Sequence, residues 1–444
     1  MDGKELPKAF QTLFASERIE RLARNCGCIN RERLMSGGQL AQTLVFGLLH
    51  APEATGSQLA QTAAVLGVSI SPQALEKRLD QPETADFLKA VLEEAMGMAI
   101  AAPSVTSELL QRFTEVDILD STTATLPDEL AKIWSGCGAK SPQGGKAALK
   151  VQVQMDLVGG GLKLELSAGR VPDQKAALQT QDIKEGSLHL RDLGYFDLSV
   201  LKTIDDSKAF FISRLMNGTN IYDTQGNLLD LLGLLRNSLN DVDIQVQVGA
   251  EQRLPVRLVA RRLPKAVGAT RRRRLRKKAQ WKGRYEPTKE ALALRDWSIA
   301  ITNVPTKQLD IDEIHALLRL RWQIELLFKL WKSHGRLGHS RRRKAQRILA
   351  ETYAKLIAML IQHWMLWQAM GEYVDRSLSK AASAFRTFAW LLLRSLTTLA
   401  LLRAEILRII EVLKKSPRTQ RRRKKPAAFQ VLEDPKKYGY KACA

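Results

Sequence analysis

Three acidic residues, far apart along a chain of 444, stand where a divalent cation could be held: Asp120, Asp192 and Glu325. Asp120 closes the run E-V-D-I-L-D (115–120), and Asp192 closes S-L-H-L-R-D (187–192). An inward-facing acid at the end of an apolar strand is costly unless it meets a cation. Gly194 would permit a tight turn beside the second. Asp117, three residues before Asp120, falls on the opposite face by strand alternation and is read as structural. Glu325 lies in L-L-R-L-R-W-Q-I-E-L-L-F-K-L-W-K (317–332). On a helix at about 100° per residue, with Arg321 at zero, Glu325 falls at roughly 40° and Lys332 at roughly 20°. Leu317, Leu320, Ile324, Leu327 and Trp331 gather on an adjoining face. The bland reading of the Arg-Glu-Lys ridge is helix salt bridging at four-residue spacing. The chemical one is an ionised carboxylate ready for a hard metal, with cations left to meet phosphate oxygens. Two strand aspartates and a helix-borne glutamate could hold two divalent ions about 4 Å apart and drive an in-line phosphoryl transfer. Mg²⁺ suits such oxygen donors.

These residues need strands and a helix to carry them. E-V-D-I-L-D reads as a strand followed by a turn at S-T-T, and A-L-K-V-Q-V-Q-M-D-L (148–157), G-G-G and L-K-L-E-L-S (162–167) as a hairpin. The glycines make that turn and no phosphate loop, since no Walker lysine follows. A strand to Asp192, a brief helix near 197–206 and the strand A-F-F-I-S-R-L (209–215) complete a mixed α/β sheet. I-Q-V-Q-V, L-P-V-R-L-V-A and W-S-I-A-I-T-N-V supply further strands within 236–305. Between them, Arg261 to Arg284 holds twelve basic residues and no acidic one, which predicts a loop that orders on a phosphate backbone or a solvated linker. Residues 1–105 are helical by spacing. Within them, Gly67 stops one helix while Ser71 caps and Pro72 opens the next. Those two helices suit either a helix-turn-helix or a plain helical hairpin. Asp310 to about residue 415 is helical, and the last thirty residues, with R-R-R-K-K at 421–425, read as a loosely ordered basic tail.

Lys and Arg total 69 against 46 Asp and Glu, a net charge of +23. Such an excess points to a polyanion, and nucleic acid is the commonest one. Cys26, Cys28, Cys137 and Cys443 form neither a zinc pattern nor a disulfide framework, which fits a reduced, cytoplasmic setting. The N-terminus has no signal-peptide core. Segments 356–369 and 387–406 are apolar but carry Gln362, His363 and Arg394, so they read as buried helices without a membrane span. His334 and His339 lie beside basic residues and are read as facing DNA or solvent.

The spacing R-x₃-E-x₆-K at Arg321, Glu325 and Lys332, preceded by D-S-T-T and D-L-G-Y-F-D, resembles the YREK signature of bacterial insertion-sequence DDE transposases. The match in element order covers roughly residues 105–380. The resemblance implies a ribonuclease H-like mixed-sheet core with an inserted β-rich subdomain, flanked by helical N- and C-terminal regions. It makes Asp120, Asp192 and Glu325 the metal-binding triad for two Mg²⁺ ions, with Mn²⁺ able to substitute. Arg321, Lys332, Lys329 and Arg214 become contacts to DNA phosphates. Trp281 is the candidate to stack on a flipped base, with a buried-core tryptophan as the alternative. The signature's Tyr is replaced by Leu318. The implied partners are double-stranded DNA, both terminal inverted repeats and target, and a second copy of the chain in the synaptic complex. The implied activity is cleavage at transposon ends and strand transfer by a nucleoid-associated enzyme without ATP; the alternative is an inactive, transposase-derived DNA-binding regulator. The expected organisation is an end-binding domain at 1–105, the core at 106–235 and 309–380 around an insertion at 236–308, and a C-terminal region at 381–444.

Overall fold

In the computed structural model, β-branched and apolar residues from Val116 to Leu126 form the first strand, β1. Eight strands follow: β2 (Ala147–Asp156), β3 (Leu162–Ala168), β4 (Leu188–Arg191), β5 (Phe210–Arg214), β6 (Ile221–Tyr222), β7 (Val242–Val248), β8 (Leu254–Arg262) and β9 (Trp297–Thr302). The structure describes residues 5–29, 34–98, 100, 107–137, 146–283, 285–340, 342, 344–371, 375–423 and 426–438. Cys443 and two lysines of the R-R-R-K-K run lie outside them.

The strand order is β3-β2-β1-β4-β5-β9-β8-β7-β6. β1, β4 and β5 are parallel, with Asp117 opposite His189 and Leu190 opposite Ile212. The parallel step from β4 to β5 runs through the helix Leu198–Asp206, capped by Asp197, as a parallel connection requires. From β5 outward the pairing is antiparallel, Arg214 opposite Ala300 and Leu258 opposite Ile301. The strands of the β-rich insertion therefore extend the core sheet. This mixed sheet with helical regions on either side in sequence is the ribonuclease H-like class that the sequence suggests.

Two compact units divide the chain, and the division falls inside β1 between Leu119 and Asp120. One unit holds residues 1–106, 120–172 and 324–419. Its centre is the helix Ala345–Met370, buried along almost its whole length. Packed on that helix are Gly37–His50 and Pro82–Met96, whose apolar faces are closed off by it. The hairpin β2–β3 belongs here too; its turn residue Gly160 has φ +74°, a left-handed conformation that glycine adopts without penalty. Gly160 also accepts a hydrogen bond at 2.8 Å from His363 Nε2. The capped pair of helices is present as Gly56–Val65 and Pro72–Leu79. Ser71 Oγ accepts from the Ala74 N–H at 3.1 Å, and Gly67 stands at φ +76°. No helix among the described residues is long and apolar enough to cross a membrane.

The second unit holds residues 107–119, 173–323 and 420–444. Its core joins Leu201, Ile204 and Phe211 to Val246, Leu258, Ala260 and Ile301, so the helix after β4 covers the strands of the insertion.

Four local expectations are corrected. S-T-T (121–123) continues β1 and makes no turn. The basic run forms a helix, Lys265–Gly283; Ala279 is buried there and Asp296 and Glu286 pair with Arg272 and Arg276, giving it a folded side. Within the last thirty residues, the described stretch 426–438 is folded and not loosely ordered. Ala428–Glu433 and Pro435–Tyr438 are helical and pack on the helix Ile311–Leu320, with Phe429 and Val431 buried. Finally, the segment 317–332 is two helices, Ile311–Leu320 and Trp322–Ser333, with Arg321 as the C-terminal cap of the first.

Candidate active site

Asp192 is the best-defined member of the candidate triad. It follows β4 directly and starts a single 3₁₀ turn, Leu193–Tyr195, with its carbonyl accepting from the Tyr195 N–H at 2.9 Å. Tyr195 is buried with Leu119, Ala176 and Leu178, which pins the far end of the turn. Gly194 does not have a positive φ, and a Cβ there would only come within 3.8 Å of Asp173, so the turn closes without needing glycine. The Asp192 carboxylate makes no cap to its own turn and is 35% exposed. Its Oδ2 lies 3.5 Å from Arg321 Nη2.

Behind Asp192 is a buried ionic cluster whose full extent the sequence does not reveal. Asp117 and Arg191 are both fully buried and joined Oδ1 to Nη1. His189 Nδ1 lies against Asp117 Oδ2, without hydrogen-bond geometry, and stands 3.1 Å from Arg191 Nη2. Ser187 Oγ is 2.8 Å from His189 Nε2 and donates to the Lys184 carbonyl at 2.6 Å. Burial alone would push the Asp117 carboxyl up; Arg191 and His189 outweigh it and hold it well below the usual carboxylate range. The structural reading of Asp117 agrees with this placement. Arg191 and His189 carry no motif, and their only signal is that two polar residues alternate with leucines in the short, fully buried β4.

Asp120 sits in mid-strand, half-buried, its Oδ1 accepting from the Ser121 N–H at 2.8 Å. The flanking Leu119 and Thr122 are buried. Glu325 is half-buried in the first turn of Trp322–Ser333, where unsatisfied peptide N–H groups favour a negative charge. Ile324, Leu327, Phe328, Leu330 and Trp331 bury the opposite side, as the apolar stripe predicts. Lys329 and Lys332 are exposed on the same helix. Leu318, where the signature has Tyr, is buried at 7% and so belongs to packing. Asp120 and Glu325 fall in one unit, Asp192 and Arg321 in the other. Among the described residues, no three His, Cys, Asp or Glu side chains form a metal-holding group. The donors nonetheless match Mg²⁺ in kind, being carboxylate oxygens with no competing sulfur or imidazole.

Arg214 ends β5, half-buried, opposite Ala300. Together with Arg261 and Arg271 it surrounds the buried His315, whose pKa falls to about 4, first through burial and then through these cations against the opposing pull of Asp241. Trp281 is 85% exposed near the end of the basic helix, which excludes the buried-core alternative. Arg273, Arg274, Lys277 and Lys278 are exposed on the same helix. His334 bonds to Ser379 and Ser383 at 3.0 and 3.3 Å, a structural placement.

The family described as Transposase DDE domain matches residues 111–361, which is more than half of the chain and spans Asp120, Asp192 and Glu325. The chain belongs to the DDE transposase family. Curated relatives agree with the match. The transposase for insertion sequence element IS231F of Bacillus thuringiensis subsp. israelensis is 28% identical over 95% of this chain and 93% of its own length. The transposase for IS1151 of Clostridium perfringens is 25% identical over 81% of this chain and 80% of its own. The transposase for IS421 of Escherichia coli is 25% identical over 78% and 89%. The IS231F match, at 95% of this chain, extends beyond residues 111–361 into the N-terminal helices.

Proposed function

We propose that this transposase excises and inserts its element by cut-and-paste, with Asp120, Asp192 and Glu325 as the catalytic carboxylates. The observation that carries this reading is Asp192: rigidly backed by a buried ionic cluster, yet presenting a carboxylate that its own turn does not use. When bound, two Mg²⁺ ions would supply an activated water or 3′-hydroxyl and stabilise the leaving oxygen. Asp120, Asp192 and Glu325 would hold and orient that assembly. In cleavage a water oxygen adds to phosphorus, the P–O3′ bond breaks and a 3′-hydroxyl is released. In strand transfer that hydroxyl attacks a target phosphodiester and displaces another 3′-hydroxyl. Lys329, Lys332 and Arg214 would bind backbone phosphates as point charges or forks. The basic helix Lys265–Gly283 would present Arg273, Arg274, Lys277 and Lys278 to duplex DNA, with Trp281 placed to stack on an extruded base. The expected partners are the element's terminal inverted repeats, target DNA and a second copy of the chain.

The test is cleavage of a duplex carrying the terminal repeat, with Mg²⁺ or Mn²⁺, alongside a gel-shift assay. Asp120→Ala, Asp192→Ala and Glu325→Ala should each abolish nicking while end binding persists. Unchanged nicking in any of the three removes that residue from the triad. The buried Leu318 at the signature's Tyr position favours one second reading, a DNA-binding regulator without catalysis. Binding without nicking by the unaltered protein would select it.

A further inference from the structure

Arg321 and Asp192 meet in a way the phosphate role of Arg321 does not require. The Arg321 side chain is 16% exposed, and the residue stands at the C-cap position of the helix Ile311–Leu320, an end where the helix dipole favours a cation. From there its Nη2 reaches 3.5 Å from Asp192 Oδ2. A divalent ion bound at about 2 Å and a guanidinium compete for the lone pairs of one carboxylate, and the ion brings a second charge that repels the guanidinium. Resting on the reading of Asp192 as a metal ligand, we propose that Arg321 is a displaceable counter-ion. It neutralises Asp192 before the divalent ion is bound, and moves from the carboxylate to a DNA phosphate when the ion enters. Arg321 then couples two events that would otherwise be independent. A phosphate that engages the guanidinium frees Asp192 for the ion, and the ion frees the guanidinium for phosphate. Both acceptors are hard oxygen anions of single charge, so the exchange leaves neither the carboxylate nor the phosphate without a counter-charge. It also makes the enzyme reluctant to load metal away from DNA, where a loaded carboxylate site would have no substrate to act on.

Linkage sets the form of the test, because each ligand must change the other's affinity by the same factor. A partly exposed ion pair contributes about 0.2–1 kcal/mol, which is roughly a 1.5- to 5-fold change in affinity. Mn²⁺ binding to the full-length protein is followed by electron paramagnetic resonance of the free ion, with and without a terminal-repeat duplex. Without DNA, Arg321→Gln should bind Mn²⁺ about 1.5- to 5-fold more tightly than wild type, and more tightly than Lys332→Gln, which removes the same charge from the exposed face of the next helix. In wild type the duplex should raise Mn²⁺ affinity; in Arg321→Gln that enhancement should shrink or vanish. Arg321→Lys, which keeps the charge without the fork and guards against a folding defect of Gln, should fall between the two. If Arg321→Gln binds Mn²⁺ no more tightly than wild type or Lys332→Gln, the counter-ion role is wrong. Asp192→Asn separates this from the underlying reading: unchanged Mn²⁺ binding by that variant would show instead that Asp192 is not a ligand.

Discussion

Asp117→Ala should be among the most destabilising single changes in the second unit. The substitution leaves the fully buried Arg191 facing His189 with no anion between them. Removing one partner of a buried pair costs about 3–5 kcal/mol, since the remaining charge has lost both water and counter-ion. No discount for solvent applies, because neither side chain is exposed. Arg191 Nε already lacks a hydrogen-bond partner in the structure, so little slack remains in the cluster. At about 2–4 °C per kcal/mol for a cooperative unit of this size, the thermal midpoint should fall by roughly 6–20 °C. Differential scanning calorimetry suits the measurement, because two units need not melt as one transition. The double change Asp117→Leu, Arg191→Met replaces charges by apolar volume and should be milder than the single one. Acid supplies an independent check. The Asp117 carboxyl is held below its unfolded value, so its contribution is fully present above about pH 4 and is lost as pH falls through the folded value. The variant should lack that acid-dependent component. A loss under about 1 kcal/mol, or a double variant worse than Asp117→Ala, would refute the argument that the cost comes from leaving Arg191 buried without its counter-ion.

His315 is buried with a pKa depressed to about 4, so the unfolded chain takes up its proton first as pH falls. Its contribution is complete above about pH 6.5 and is lost between there and about pH 4; His315→Phe should flatten that part of the stability profile by up to about 3 kcal/mol, read by urea titration at several pH values. Gly160→Ala combines a positive φ with a Cβ only 1.9 Å from the Trp367 indole. It should cost about 2–3 kcal/mol by calorimetry and shift the tryptophan emission, whereas a neutral result would mean the hairpin turn is not packed there. Trp281→Ala removes an exposed ring and should leave the melting temperature within about 1 °C. If the ring stacks on an extruded base, as proposed, the same variant should lower the fluorescence change of a 2-aminopurine placed at the cleavage end.

Much of the framework was legible because its signals are local. The Ser71-Pro72 start, the Gly67 stop, the Gly160 hairpin and the apolar stripe through Ile324 and Trp331 all follow from rules spanning a few residues. What was illegible depends on partners distant in sequence. The arginine run looks unable to pack until Asp296 and Glu286 are brought beside it. S-T-T has turn-forming residues, yet β1 runs through it to Leu126 because sheet pairing and the buried Thr122 and Ala124 override local preference. Likewise the helix break at Arg321 has no proline or glycine to announce it. The roles of His189 and Arg191 appear only when β4 lies beside β1, seventy residues earlier in the chain.

The helix Ala345–Met370 has one further implication, for how such elements diversify. Its buried faces are completed by Gly37–His50 and Pro82–Met96, from far earlier in the chain. Exchanging those two helices alone between related elements would strip apolar surface from the recipient's own scaffold. Substitutions on the exposed faces of those two helices should therefore be tolerated more readily than exchange of the whole segment that carries them.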